Sequence, residues 1–184
     1  MNRLLIVSNR LPLSVKKRGK SFGFTPSSGG LATGVSSLQN LYSLKWIGWP
    51  GIAVEKLKPN ETKTLKKKMT ESNYCPVFLS QKEIDNYYSG FSNNTLWPLF
   101  HYFNQHAVYD KKLWESYIQA NEKFCAAVLK EVKPGDIVWI HDYHLLLLPE
   151  MLREKNPDFT IGFFLHIPFP SFEVFRLLPQ RREL

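Results

Sequence analysis

Apolar and polar residues come in blocks along this chain, and the period of each block predicts an element. Leu4-Leu5-Ile6-Val7, closing at Ser8, is a short unbroken apolar run, the pattern of a strand buried on both faces. Lys, Gly, Ser and Pro crowd the next stretch, roughly Pro12 to Ser28, which reads as a loop. From Ser28-Gly29-Gly30 the period lengthens, and Leu31, Val35, Leu38 and Tyr42 fall on one face of a helix. Lys45 to Trp49 returns to a strand, closed by Pro50-Gly51, and a further strand lies near Cys75 to Leu79. Ser80-Gln81-Lys82-Glu83 is a capping box, so a helix starts there and carries Tyr87 and Tyr88. The strongest helical pattern runs from Lys112 to Val132. Trp114, Tyr117, Asn121, Phe124, Val128 and Val132 share a face on which only the asparagine is polar, and Pro134-Gly135 ends the run. Asp136 to Ile140 predicts a strand, followed by a helix with Met151 and Leu152 inward that breaks at Asn156-Pro157. Phe159 to Leu165 is a last strand, and Ser171 caps a last helix near Phe172 to Leu178.

Strands alternating with helices predict parallel βαβ units with right-handed crossovers, an α/β fold with a doubly wound parallel sheet. Composition narrows this to one domain over 1–184: the 184 residues are 43% hydrophobic, enough for one core and short for two. The two cysteines, Cys75 and Cys125, argue against a disulfide scaffold and fit a reducing compartment. Leu4 to Val7 is too short for a signal peptide, and Leu145 to Leu148 is too short to span a membrane. The expected compartment is the cytoplasm. The net charge is +8, and much of it sits at Lys56, Lys58, Lys63, Lys66, Lys67 and Lys68. That run reads as the solvated face of a helix. No recognition motif beside it supports nucleic-acid binding, whereas a basic excess suits an anionic, phosphorylated substrate.

In an open α/β sheet, ligands bind outside the carboxyl ends of the strands. Three predicted strands end in polar side chains: the first at Asn9-Arg10, the strand from Asp136 at His141-Asp142, the strand from Phe159 at His166. A guanidinium, a carboxylate and an imidazole therefore converge on one rim. Singly, Arg10 would be a surface ion pair, Asp142 a helix cap and His166 a core histidine; their shared position is what selects them. Ser28-Gly29-Gly30 before a helix offers backbone N–H groups to an oxyanion. His141 and His144 with Asp142 also suggest a metal site, although structural hydrogen bonding accounts for the two histidines without one. The aromatic segment from Tyr87 to Tyr102, with Tyr88 and Trp97, suits a sugar pocket as well as a core.

Ile6-Val7-Ser8-Asn9-Arg10-Leu11-Pro12, Ser28-Gly29-Gly30-Leu31, Trp46-Ile47-Gly48-Trp49-Pro50-Gly51, Asn86-Tyr87-Tyr88 through Tyr102, Trp139 to Leu145 and Gly162 to Pro170 occur in order over nearly the whole chain. Taken as a set, they resemble the trehalose-6-phosphate synthases, retaining glycosyltransferases of the two-domain GT-B fold. The resemblance implies the Rossmann-like N-terminal domain of such an enzyme, left incomplete, with the nucleotide-sugar domain absent and this chain inactive alone. It implies glucosyl transfer from UDP-glucose to glucose 6-phosphate, giving trehalose 6-phosphate and UDP. Arg10 would bind the acceptor phosphate with Tyr88, Asp142 would orient acceptor hydroxyls, and Trp97 would shape the sugar pocket. Gly29 and Gly30 would approach the donor diphosphate, and His166 would sit at the donor glucose. No metal or other cofactor is implied, nor any nucleic acid or membrane. A non-catalytic relative within a trehalose-synthesising complex is the alternative, and a metal-dependent hydrolase built on His141, Asp142 and His144 a further one.

Overall fold

A computed structural model of the chain describes residues 3–19, 21–26, 30, 34–35 and 40–184. The first strand, β1 (Arg3–Arg10), is buried along almost its whole length. Leu5 and Val7 belong to one hydrophobic cluster and Leu4 and Ile6 to another. Because side chains alternate across a strand, the apolar run of β1 supplies both faces of the sheet at once. β1 leads into a two-stranded antiparallel hairpin, β2 (Leu13–Arg18) and β3 (Ser21–Pro26). This corrects the loop expected from Pro12 to Ser28. Leu13 and Val15, two residues apart, are buried in the second cluster and Phe22 packs against it, while the basic stretch from Lys16 to Lys20 interrupts the apolar alternation. The helix expected from Ser28 to Tyr42 lies largely outside the described residues. Gly34 and Val35 are helical, Val35 is buried, and Tyr42 lies in the turn before the next strand.

β4 (Ser43–Trp49) is followed by α1 (Pro59–Glu71), β5 (Tyr74–Pro76) and α2 (Gln81–Glu83). α1 buries Leu65 and Met69 and exposes Lys63, Lys66, Lys67 and Lys68, the solvated basic face. α2 opens on the expected capping box: Glu83 N–H donates to Ser80 Oγ at 3.1 Å, and the Ser80 backbone donates to Glu83 Oε2 at 2.8 Å. The helix then widens into a 13-residue π-type segment, Ile84–Leu96, and tightens again in α3 (Trp97–Phe100). Next come α4 (Lys111–Glu131), β6 (Ile137–His141), α5 (Leu148–Lys155), β7 (Thr160–Phe164) and α6 (Phe172–Phe175). α6 is a single turn, shorter than expected, although Leu178 beyond it is fully buried.

The five parallel strands run β5-β4-β1-β6-β7 across the sheet. Counted along the chain within that sheet, the order is 3-2-1-4-5, that of a Rossmann-like doubly wound fold. β1 pairs with β4 on one side and β6 on the other, so the order reverses at β1. α4 covers one face with Tyr117, Ala120, Phe124 and Val128, all fully buried. Tyr117 also anchors the turn after β6. Its hydroxyl donates to the Tyr143 carbonyl at 2.7 Å and accepts from Leu146 N–H at 3.0 Å. At the opposite end of the sheet Arg3 donates to Asp136 Oδ1 at 3.0 Å, tying the start of β1 to the residue before β6. Both cysteines are free and buried. No helix of the described residues is long and apolar enough to cross a membrane.

Candidate active site

At the carboxyl ends of β1 and β6, where the strand order reverses, lies a cleft of about 250 Å³ lined by Ser8, Asn9, Arg10, Tyr88, His141, Asp142, His144 and His166. Arg10, Asp142 and His166 thus meet as the rule of strand ends predicts, and Tyr88 joins them from the π-type segment. Trp97 does not reach this lining. It lies in α3, 41% exposed, with its ring stacked on His101 at 4.2 Å between centroids. Gly29 lies outside the described residues; Gly30 is exposed, with open space where a Cβ would point.

Arg10 is held as a free cation. Its Cζ sits 5.2 Å from the centroid of the Trp49 ring, within cation–π range, and Nη2 donates to Ser14 Oγ at 3.0 Å. Among the described residues no carboxylate pairs with it. Gly51 makes room: its φ is +81°, and a Cβ there would lie 2.7 Å from Arg10 Nη2. Trp49, Ser14 and Gly51 do not stand out in the sequence as site residues, although the Trp49-Pro50-Gly51 turn carries the signal. Beneath Arg10, Ser8 Oγ accepts from the Trp46 indole at 2.7 Å and donates to the Arg10 carbonyl at 2.7 Å, fixing the end of β1. Tyr87 donates to Asn9 Oδ1 at 3.1 Å. Its neighbour Tyr88 stacks on His144 at 5.5 Å with 16° between planes. Two consecutive tyrosines of the π-type segment thus act at the strand ends, Tyr88 in the cleft lining and Tyr87 behind Asn9.

Asp142 has the most unusual backbone of the site. Its φ is +76° and ψ 166°, a region that is nearly glycine-only and costs a side-chain-bearing residue about 1–3 kcal/mol. Its surroundings hold it there. Asp142 N–H donates to the Phe164 carbonyl at 2.8 Å, and Oδ1 accepts from Tyr143 N–H at 3.0 Å and His166 N–H at 3.2 Å. Burial raises the pKa of the carboxyl above its usual value, against those backbone hydrogen bonds and the nearby His166. The carboxylate is thus poised to gain from hydroxyl donors that enter the cleft.

Two histidines beside Asp142 are neutral. Burial, with His166 adding to it, lowers the pKa of His141 to about 4, and burial lowers that of His144 to about 3. The 3.9 Å approach of His144 Nδ1 to Asp142 Oδ2 is consequently not an ion pair at neutral pH. Among the described residues no three His, Cys, Asp or Glu side chains are grouped to hold a metal ion, so His141, Asp142 and His144 do not converge as a ligand set.

The buried histidines make acid stability predictable. Below pH 6.5 an unfolded chain protonates both, while the folded chain keeps them neutral until about 4 and about 3. The unfolded state then binds more protons, so stability falls as pH falls through that window, by up to about 1.4 kcal/mol per pH unit for each histidine. Asp142, with its raised pKa, acts in the opposite sense at the acid end. Urea midpoints from pH 7 to 4.5 should decline, and His144→Phe should flatten the slope; a midpoint independent of pH would contradict the assignment.

Residues 2–184 match Glycosyltransferase family 20. An α,α-trehalose-phosphate synthase [UDP-forming] of Emericella nidulans is 48% identical, over 100% of this chain and 37% of that protein. A solved α,α-trehalose-phosphate synthase (UDP-forming) from Burkholderia xenovorans, in complex with glucose-6-phosphate, is 32% identical with a TM-score of 0.75, over 99% of this chain and 37% of that one. A structure from Escherichia coli bound with UDP-2-fluoro glucose is 33% identical with a TM-score of 0.78, over 98% of this chain and 36% of that one. The chain spans little more than a third of the length of each of these proteins.

Proposed function

The chain belongs to glycosyltransferase family 20, and from that premise we propose that it forms the acceptor side of a UDP-glucose-dependent trehalose-6-phosphate synthase. The observation that carries this reading is the pairing, in one cleft, of an arginine with no acid partner among the described residues and a strained, partly buried aspartate. A sugar phosphate needs both: a cation for its phosphate and a carboxylate for its hydroxyls. Arg10, backed by Trp49 and Ser14, takes the phosphate, with Tyr88 alongside. Asp142 accepts hydrogen bonds from the sugar hydroxyls and sets the attacking oxygen. His166, across from Asp142 on the same rim, contacts the donor glucose, while Gly29 and Gly30 offer backbone donors to the diphosphate. The solved relatives with glucose-6-phosphate and with UDP-2-fluoro glucose support this choice of ligands.

On this reading protein groups stabilise the leaving diphosphate, and electrostatic stabilisation of that kind usually contributes most to the rate of such a transfer. On the same reading no metal takes part. Incubating the full-length protein with UDP-glucose and glucose 6-phosphate tests the proposal. Release of UDP and formation of trehalose 6-phosphate, undiminished by EDTA, is the expected result. Binding of both sugars without UDP release would instead identify a non-catalytic relative.

A further inference from the structure

His166 does not stand alone at the rim. Its Nε2 lies 3.0 Å from Nδ1 of His141, with the rings stacked at 5.3 Å and 26°. Nε2 of His166 is therefore occupied, and Nδ1 is the nitrogen left for a ligand. His141 itself is only 1% exposed. It sits in β6 opposite Ser8 of β1 and Phe164 of β7, packed against the Trp139 ring at 4.4 Å. Its other nitrogen, Nε2, is buried with no hydrogen-bond partner among the described residues.

Each neutral imidazole carries one N–H and one lone pair, so the bond between the two rings has only two arrangements. In one, His166 donates from Nε2 and His141 accepts at Nδ1. The single proton of His141 must then sit on Nε2, as an orphaned buried N–H. In the other, His141 donates from Nδ1 and its Nε2 holds only a lone pair. Orphaned buried N–H groups are the rarer defect in folded proteins. We propose that His141 is a positioning residue: by donating from Nδ1 to His166 Nε2 it fixes His166 as the Nδ1–H tautomer, so that His166 offers a hydrogen-bond donor to the cleft. Its place between the two neighbouring strands keeps that donor aimed. A hydroxyl oxygen or a phosphate oxygen is the ligand group such a donor takes. The low proton affinity of His141, from its burial, keeps that ring neutral, with a single proton to place on Nδ1.

The effect on turnover rests on the synthase reading above; the tautomer does not, and the two are measured separately. Two-dimensional 1H–15N long-range correlation on the full-length protein, with 15N-labelled histidine, reads the tautomer of each ring directly. The expected pattern is Nδ1 protonated and Nε2 bare in both His141 and His166. Protonated Nε2 on His166 would overturn the proposal whatever the enzyme does. His141→Asn places an amide N–H near the position of Nδ1 and should keep the His166 tautomer and at least a third of kcat/KM for UDP-glucose. His141→Leu should release the tautomer and lower that kcat/KM at least tenfold, with KM for glucose 6-phosphate changed less than twofold. Equal losses in both variants would reduce His141 to a packing residue and sink the idea. If the leucine variant fails to fold, the wild-type and asparagine spectra still decide. An enzyme with the expected spectrum but no transfer to glucose 6-phosphate would count against the synthase reading alone.

Discussion

Asp142→Asn in the full-length protein should lower kcat/KM for glucosyl transfer by about a hundredfold or more while the fold persists. The amide can still accept from Tyr143 and His166 N–H through its one oxygen, so the turn survives. It loses the negative charge that strengthens hydrogen bonds from acceptor hydroxyls. A hydrogen bond to a charged group is worth about 1.5–3 kcal/mol, and two of them correspond to at least a hundredfold in rate. Asp142→Gly separates function from stability. Glycine adopts φ +76° freely, which relieves about 1–3 kcal/mol of strain and offsets the lost side-chain bonds. That variant should be inactive with a melting temperature no lower than wild type. An active Asp142→Asn would remove the basis for placing the acceptor here, and an unfolded Asp142→Gly would contradict the strain assigned to the Asp142 backbone.

Arg10→Ala should raise KM for glucose 6-phosphate roughly 10- to 150-fold, the equivalent of about 1.5–3 kcal/mol for a charge-assisted contact. KM for UDP-glucose should change little. Arg10→Lys should recover only part of the loss. A lysine can neither present the planar fork to phosphate nor lie flat over Trp49, 5.2 Å from the present guanidinium carbon. The wild-type advantage should shrink with added salt, because Arg10 is exposed and its field is screened. Isothermal titration with glucose 6-phosphate at two ionic strengths reads both effects. Unaltered affinity in Arg10→Ala would move the phosphate elsewhere, to lysines such as Lys16, Lys17 and Lys56 around the hairpin.

The parts of this architecture set by apolar periodicity were legible in the sequence. The buried run of β1, the capping box at Ser80 and the amphipathic face of α4 each declare themselves locally, and the rule of strand carboxyl ends then brings Arg10, Asp142 and His166 together. What escaped depends on tertiary context. The β2–β3 hairpin hides because, among its described residues, only Leu13 and Val15 are buried, too few to show a period beside the basic stretch from Lys16 to Lys20. The widening at Ile84–Leu96 is not announced by any local motif; within it Tyr88 lines the cleft while the fully buried Tyr87 acts from behind, through Asn9. Trp97 lies on α3 beside His101 rather than over the cleft. Asp142 looked like an ordinary cap because the hydrogen bond from Asp142 N–H to Phe164, across 22 positions of chain, is what holds its backbone in place. No sequence window contains that contact.

The reversal of strand order at β1 also bears on how the chain assembles. β1 and β4 are close in sequence and can meet while much of the chain is still being made. β6 cannot. The contact of Arg3 with Asp136 closes a separation of 133 residues, and loop closure of that span must precede any reward from pairing. At ordinary synthesis rates of roughly 5–20 residues per second, one side of β1 waits on the order of ten seconds for its neighbour. During that interval the fully apolar strand Leu4 to Val7 has a bare edge, the kind of surface a chaperone recognises and an aggregate recruits. The cleft that joins Arg10 to Asp142 is therefore a late product of folding, and a nascent chain has no such cleft until β6 docks.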